Sequence, residues 1–164
     1  MTATETPPLR AHEGERDGFR ISTDPTRLDV DVIHGYLAQS YWAKGIPREI
    51  VERSIRCSLC FGVYETAGPG RGESERQIGF ARVITDRATF AYLADVFVLE
   101  GWRGRGLSKW LLETILAHPD LQGLRRFCLG TRDAHGLYAR YGFANPKDQS
   151  RWMEILRPDA YRAS

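Results

Sequence analysis

A basic string with two glycines lies between a predicted strand and a predicted helix, at residues 103–108. Gly104 and Gly106 allow the backbone to turn tightly and to approach a ligand closely, while Arg103 and Arg105 supply positive charge. The first N–H groups of a helix have no partner within the helix and lie at the positive end of its dipole. The string therefore predicts a site for an anion such as a pyrophosphate. Taken alone, it also fits an ordinary loop with solvated arginines.

Two common phosphate-binding patterns do not fit this string. A Walker loop requires Gly-Lys-Ser/Thr after the glycines, and no such sequence follows. The dinucleotide fingerprint requires a third glycine at the start of a βαβ unit, and that glycine is absent. The string is therefore a phosphate-binding candidate of another kind.

A carboxylate interrupts the apolar strand that precedes the string. Asp95 lies within the run Tyr-Leu-Ala-Asp-Val-Phe-Val at residues 92–98. An unpaired carboxylate inside such a strand is costly, so its presence needs an explanation. We consider Asp95 either a candidate catalytic base or a structural carboxylate that binds backbone amides.

The elements that position these residues follow from the hydrophobic periodicity of the chain. Three apolar runs between residues 59 and 99 are separated by turn signals, namely the glycine-rich residues 68–72 and the pair Asp86-Arg87, so they predict an antiparallel meander. The later order of strand, helix and strand predicts a local parallel pair. The predicted strands are residues 19–22, 59–64, 77–84, 89–99, 126–130 and 151–156, and the predicted helices are residues 28–42, 48–58, 108–117 and 134–140.

The chain of 164 residues suits one domain with one hydrophobic core. We expect residues 1–18, which are polar and contain two prolines, to form a loose tail, and residues 19–164 to form a single domain. Lys and Arg number 23 against 21 Asp and Glu, and this net charge of +2 argues against a dedicated nucleic-acid binder. No apolar stretch reaches membrane-spanning length. We therefore expect a cytoplasmic protein with no membrane partner.

The three cysteines, Cys57, Cys60 and Cys128, predict neither a disulfide framework nor a metal site. Their odd number does not fit a set of disulfides. A zinc site would need two further ligands at suitable spacing from the CxxC pair, and the four histidines are scattered along the chain. We interpret the thiols as buried or half-buried structural groups and predict no metal.

Two strings together resemble the GNAT superfamily of N-acetyltransferases. Its acetyl-CoA-binding motif is Arg/Gln-x-x-Gly-x-Gly/Ala, which Arg103 and Gly106 match, and Ser108 stands where the family has Gly or Ala. Residues 134–143, Ala-His-Gly-Leu-Tyr-Ala-Arg-Tyr-Gly-Phe, resemble the family segment A-x-x-L-Y-x-[KR]-x-G-F. One helix and one strand separate the two strings, as in the family, and the order of the predicted elements agrees as well.

The resemblance implies the GNAT fold, an α/β domain with a mixed central sheet of about six to seven strands flanked by about four helices. It also implies acetyl-CoA, or CoA, as the co-substrate, with no metal. Thr131 departs from the family pattern, because many members have an Asn at this position. The residues that the resemblance assigns to the cofactor are the backbone of Val96, Phe97 and Val98, the string Arg103, Gly104, Arg105, Gly106, Leu107 and Ser108, and Thr131.

The resemblance also implies catalytic roles. A backbone N–H near the end of the strand polarises the thioester carbonyl, Tyr138 protonates the leaving thiolate, and Asp95 removes a proton from the amine. Tyr138 as a packing aromatic and Asp95 as a structural group remain the alternatives. Candidates for the wall of an acceptor pocket are Tyr41, Trp42, Arg82 and Trp152.

The predicted function is transfer of an acetyl group from acetyl-CoA to a primary amine of a small molecule or a peptide. We expect direct attack in a ternary complex, because the three cysteines lie outside the matching motifs. Two alternatives stay open: a non-catalytic acyl-CoA-binding module on the same fold, and a nucleotide- or phosphate-binding protein that uses the Arg-Gly loop. The partner is an amine or peptide substrate, and we allow for a homodimer.

Overall fold

The computed structural model describes residues 11–66 and 75–161. Its centre is a mixed sheet of six strands that lie side by side in chain order. Neighbouring strands are antiparallel except for the last pair, which is parallel. The strands are β1 Glu13–Arg16, β2 Phe19–Ser22, β3 Leu59–Glu65, β4 Arg76–Thr85, β5 Phe90–Val98 and β6 Arg126–Leu129.

Four α-helices lie within the described residues: α1 Val30–Leu37, α2 Arg48–Arg56, α3 Leu107–Ala117 and α4 His135–Ala139. The first begins after Asp29, whose side chain accepts hydrogen bonds from two amides of the first turn. Proline at position 47 precedes α2, where its missing N–H costs nothing. None of these helices has the length and apolarity that crossing a membrane requires.

The sheet separates two hydrophobic clusters because successive strand residues face opposite sides. In β3, Cys60 belongs to the cluster beneath α1 and α2, while Phe61 belongs to the cluster beneath α3. Burial raises the pKa of the Cys60 thiol to about 12, as expected for a structural thiol. Of the other two thiols, Cys128 is half-buried and Cys57 is exposed, which differs from the prediction for Cys57.

The predicted loose tail is wrong at its C-terminal end. Glu13–Arg16 forms β1 and pairs with β2 through a tight hairpin. Asp17 and Gly18 form its turn with φ values of 50° and 82°, the left-handed pair that two-residue hairpin turns require. The Asp-Gly pair before the predicted strand at 19–22 carried this signal, but the polarity of residues 13–16 concealed it.

The predicted strand at residues 151–156 does not form. Gln149–Arg151 is a 3-10 turn, and residues 152–156 form no regular secondary structure. After α4 the chain returns to β6 at Trp152, whose ring lies 4.8 Å below the Arg126 guanidinium at the start of that strand. This contact holds the segment at one point rather than along the strand. The predicted turn at residues 68–72 lies outside the described residues.

Candidate active site

An opening lies between β5 and β6, where the two strands separate. Their pairing runs from Phe90 opposite Arg126 to Leu93 opposite Leu129 and ends there. Because β5 continues to Val98, its last five residues have a strand partner only in β4. The opening therefore has unpaired strand backbone along one side.

A bulge shapes β5 at this opening. Phe80 pairs with Phe97, and Arg82 pairs with Ala94, so two residues of β5 lie opposite one residue of β4. The first of these two is Asp95, whose φ is 55°. A left-handed backbone is uncommon for a residue other than glycine, although Asp and Asn tolerate it best. Bulges reorient the neighbouring side chains, and this one accompanies the turn of β5 away from β6.

The carboxylate of Asp95 is held by two donors. The Arg82 Nε donates to Oδ2 at 2.7 Å, and the Trp42 indole N–H donates to Oδ1 at 3.1 Å. The side chains of Asp95 and Arg82 are only 10% and 16% exposed. Ser58 accepts a further, longer hydrogen bond from the Arg82 guanidinium at 3.3 Å. The charge in the apolar strand is therefore paired, which removes the main cost of placing it there.

A cavity of about 820 Å³ occupies the opening. Asp95 and Val96 lie on its β5 side, while Thr131 and Tyr138 lie on the side that follows β6. Aromatic side chains form much of the remaining wall. They are Tyr36, Tyr41, Trp42 and Tyr92.

Tyr138 lies on α4 and faces this cavity. Its ring packs edge-on against Phe143 with a centroid distance of 6.0 Å. Burial raises the pKa of the Tyr138 hydroxyl, and the neighbouring Tyr41 and Asp133 add to the increase. The hydroxyl is therefore protonated at neutral pH, and among the described residues it has no hydrogen-bond partner. Its proton is available to a group within the cavity.

The connection from β6 to α4 is fixed by its own side chains and by Tyr41 in the turn after α1. Thr131 Oγ1 accepts a hydrogen bond from the Ala134 N–H at 3.0 Å at the start of α4. The Arg132 guanidinium lies 3.9 Å from the centre of the Tyr41 ring, and the Arg132 N–H donates to the Tyr41 hydroxyl at 3.4 Å. The contacts of Arg132 with Tyr41 join the turn after α1 to the β6 side across the rim of the cavity.

The basic string lies between β5 and α3, as predicted. Gly104 and Gly106 have φ values of 77° and 75°, and a Cβ at either position would meet no atom within 4 Å. Glycine is therefore required by the backbone conformation rather than by crowding within the protein. No side chain caps the N-terminus of α3, so the first amides of that helix are available to an anion.

The two arginines of the string differ in their surroundings. The Arg103 Nε donates to the Val98 carbonyl at 3.0 Å, and its Nη2 donates to the Tyr36 hydroxyl at 3.2 Å. Arg103 thus connects the string to β5 and α1. Arg105 is exposed and has no hydrogen bond or ion pair within the described part of the chain. Of the two, Arg105 is the arginine free to meet a ligand.

Six of the twelve predicted catalytic and cofactor residues lie around this opening, whereas the six residues of the string 103–108 follow β5 and do not line the cavity. Val96, Phe97 and Val98 form its β5 side, the latter two with buried side chains, and Thr131 and Tyr138 lie across from them. Among the predicted pocket residues, Tyr41 and Trp42 line the cavity, Arg82 supports it through Asp95, and Trp152 lines a separate groove.

Sequence reasoning missed two supporting contacts. Tyr36 stacks on Phe97 at a centroid distance of 3.9 Å and also binds Arg103. The pairing of Arg82 with Asp95 had a detectable signal, because each is a lone charge in an apolar run and the two runs were predicted to be neighbouring strands. Within residues 11–66 and 75–161, no group of three or more His, Cys, Asp or Glu side chains is arranged to hold a metal ion.

Comparisons with known proteins agree with this geometry. The family described as an acetyltransferase (GNAT) domain matches residues 58–145. A Gibberella zeae protein named as an acetyltransferase is 36% identical over 140 residues, which cover 76% of this chain and 78% of that protein.

Solved structures extend the likeness. A Xanthomonas campestris pv. campestris structure assigned to the GNAT acetyltransferases matches with a TM-score of 0.81 and 52% identity, covering 91% of this chain and all of that one. A GNAT family acetyltransferase from Elizabethkingia anophelis, solved with acetyl-CoA bound, has a TM-score of 0.56 at 14% identity. That match covers 79% of this chain and 78% of the other, and it reflects likeness of fold alone.

Proposed function

This chain belongs to the GNAT family of acetyltransferases, and on that premise we propose that it transfers the acetyl group of acetyl-CoA to a primary amine by direct attack in a ternary complex. The acceptor in this proposal is a small molecule or a peptide. The opening between β5 and β6 is the observation that carries it, because unpaired strand backbone lies on one side and Tyr138 lies on the other.

The two ends of the cofactor fit two parts of this site. The pantetheine arm carries two amides, so it can pair like an added strand with the free edge of residues 96–98. The pyrophosphate fits the uncapped start of α3, beside Arg105 and the tight backbone of Gly104 and Gly106. In this arrangement Arg103 holds the loop against β5, while Thr131 lies on the opposite side of the opening.

Each chemical step has a residue that can serve it. A backbone N–H of Phe97 or Val98 stabilises the negative charge that develops on the thioester oxygen when the amine attacks. The bond from the carbonyl carbon to sulfur then breaks, and the thiolate takes the proton of the Tyr138 hydroxyl. The raised pKa of Tyr138 keeps that proton in place until the thiolate appears. The resulting phenolate is reprotonated from solvent.

Asp95 is the proposed acceptor for the proton that the amine must lose. Its carboxylate lines the cavity, and each oxygen retains a lone pair besides the one used by Arg82 or Trp42. The proton can move directly or through a water molecule. The two donors fix the carboxylate in one orientation, which is the condition for positioning an amine.

Acetyl-CoA turnover with a panel of amines tests the proposal. The panel should include amino acids, polyamines, aminoglycosides and peptides, with release of the CoA thiol as the readout. We expect amine-dependent release with at least one class. CoA binding by calorimetry without any turnover would instead identify a non-catalytic acyl-CoA-binding module. A thermal shift with ATP but none with CoA would identify a nucleotide-binding protein.

A further inference from the structure

Arg132 is the one cation among the described residues that line the cavity. Its guanidinium lies over the Tyr41 ring, 3.9 Å from the ring centre, and makes no hydrogen bond or ion pair with any described residue. A guanidinium stacked on an aromatic face keeps the N–H groups along its edge free, and this edge matches a carboxylate with two parallel hydrogen bonds. The side chain is therefore held in place while its charge is unpaired.

The two acids of the same wall differ in their pairing. Asp95 is bound by Arg82 at 2.7 Å, so its charge is already balanced within the protein. Asp133 is exposed and has no ion pair among the described residues. A polyamine or an aminoglycoside carries several positive charges and requires an excess of unpaired carboxylates. One unpaired acid and one unpaired cation instead fit an acceptor that carries a charge of each sign.

The turn after α1 holds the unpaired cation and the proposed base through consecutive residues. Tyr41 contacts Arg132, while Trp42 donates to Asp95 at 3.1 Å. The Tyr41 and Trp42 rings pack edge to face with their centroids 5.0 Å apart. A single aromatic pair thus positions both charged groups, which places them within the span of a small molecule.

The same aromatic residues leave apolar surface open within the cavity. Tyr41, Trp42 and Tyr92 are 49%, 40% and 37% exposed, and all three line the cavity. Exposed aromatic rings around a few placed polar groups are typical of a small-molecule site. An apolar or aromatic group on the acceptor covers these rings and removes their surface from water.

We propose that the acceptor is a free amino acid with an apolar or aromatic side chain, whose carboxylate binds the Arg132 guanidinium while its amine lies at Asp95. This inference rests on the proposed function. The amine nitrogen forms a bond to the acetyl carbon as the bond from that carbon to sulfur breaks. The amine proton passes to Asp95, the thiolate takes the proton of Tyr138, and the products are an N-acetyl amino acid and CoA. Arg132 orients the substrate and takes no part in proton transfer.

The first test compares amino acids with their amides on the unaltered chain. Phenylalanine, tryptophan, leucine and methionine are each assayed beside the corresponding amide, which keeps the amine and the side chain but lacks the carboxylate. We expect kcat/KM to be higher for the best amino acid than for its amide by about tenfold or more. This preference opposes intrinsic reactivity, because the carboxylate favours the protonated form of the neighbouring amine. Equal or faster turnover of the amides, or faster turnover of spermidine, would overturn the proposal.

The second test assigns this preference to Arg132. In Arg132→Gln the ratio of kcat/KM between the amino acid and its amide should fall close to one, mainly because KM for the amino acid rises. Arg132→Lys keeps the charge without the planar edge, so it should retain part of the preference. Arg53→Gln is the matched control, because Arg53 is an exposed arginine of α2 that does not line the cavity. A ratio that is unchanged in Arg132→Gln would show that another group binds the carboxylate and would overturn the assignment.

A binding measurement separates this inference from the proposed function. Calorimetry of the unaltered chain with CoA present should show that N-acetylphenylalanine binds more tightly than N-acetylphenylalaninamide, and Arg132→Gln should abolish the difference. This difference without turnover of any amine would support the carboxylate site and overturn the proposed function. Turnover of amines with no preference for a carboxylate, in rate or in binding, would overturn the amino-acid acceptor and leave the proposed function intact. The absence of both turnover and selective binding would overturn both.

Discussion

The two parts of the proposed site, one for the cofactor and one for the acceptor, are built by different means. On the proposed cofactor side, residues 96–98 and 103–108 act mainly through backbone: an unpaired strand edge, two left-handed glycines and an uncapped helix start. On the proposed acceptor side, the site consists of side chains from distant elements, with Trp42 and Arg82 meeting at Asp95. The first side tolerates many side chains but few changes of conformation. The second depends on the identity of each side chain.

The largest expected effect comes from Tyr138, where the two sides meet. Tyr138→Phe keeps the ring contact with Phe143 but removes the hydroxyl, and loss of general-acid catalysis typically costs ~10²–10⁴-fold in rate. Single-turnover acetyl transfer is the measurement, because product release can limit kcat. CoA affinity and melting temperature serve as controls. A rate within about twofold of the parent would assign protonation of the thiolate to water or another group.

The next largest effect is expected at Asp95, where a substitution should lower turnover without changing CoA affinity. Asp95→Asn keeps the shape of the side chain but cannot accept the amine proton, so turnover should fall by ~10²-fold. The fall should be steepest at low pH, where the amine is hardest to deprotonate. CoA affinity should stay unchanged, because Asp95 lies outside the string.

Arg82→Lys is the companion variant for Asp95. It keeps a positive charge near the carboxylate but removes the rigid guanidinium geometry. If Asp95 is the base, Arg82→Lys should lower turnover much less than Asp95→Asn does. If both variants lose turnover equally and the pH profile of turnover is unchanged, Asp95 positions Arg82 and Trp42, and the base lies elsewhere.

Gly106→Val tests the backbone construction of the cofactor side. A β-branched residue with φ near 75° costs about 1–3 kcal/mol, so CoA affinity should fall by roughly 5- to 150-fold if the loop must keep this conformation to bind. The measurement is calorimetry with CoA. Gly101→Val is a suitable control, since Gly101 precedes the string and its φ is not left-handed. Unchanged CoA affinity in Gly106→Val would show that the pyrophosphate does not bind at this loop.

The smallest expected effect distinguishes the two arginines. CoA affinity should decline with salt, because a cationic loop binds anionic phosphates. Arg105→Ala should weaken binding severalfold and flatten this dependence, since Arg105 has no partner among the described residues. In Arg103→Ala, CoA affinity should remain reduced at high salt, because the substitution removes the hydrogen bonds to Val98 and Tyr36. Equal salt slopes in both variants would contradict this division.

The cofactor side was largely predictable from the sequence because its signals are local. The string at 103–108, the strand before it and the helix after it lie within a short stretch, and glycine spacing reports directly on backbone conformation. The apolar runs and turn signals also predicted the order of five of the six strands, β2 to β6, but not β1. The matching segment at 134–143 drew attention to Tyr138, which lies across the opening from β5; its role stays a prediction.

The acceptor side was less predictable because its contacts span distant parts of the chain. The pairing of Trp42 with Asp95 and the contact of Arg132 with Tyr41 depend on where the turn after α1 lies over the sheet. Hydrophobic periodicity reports which face of an element is buried but not which polar groups meet. The failure at residues 151–156 has the same origin, since the apolar run does not report whether the segment reaches the edge of β6, and the segment contacts that strand through the Trp152 ring.

The parallel pair of β5 and β6 also bears on the order of folding. Strands β2 to β5 are antiparallel neighbours, whereas β6 joins β5 only after α3 has been traversed, and over just four residue pairs. Long-range parallel contacts form late, because the loop must close before the pairing is rewarded. We expect β6 to be the last strand to join the sheet during refolding. Until it does, a chain can already hold its antiparallel meander while the wall of the cavity with Thr131 and Tyr138 is still missing, so recovery of acetyl transfer should lag behind recovery of secondary structure.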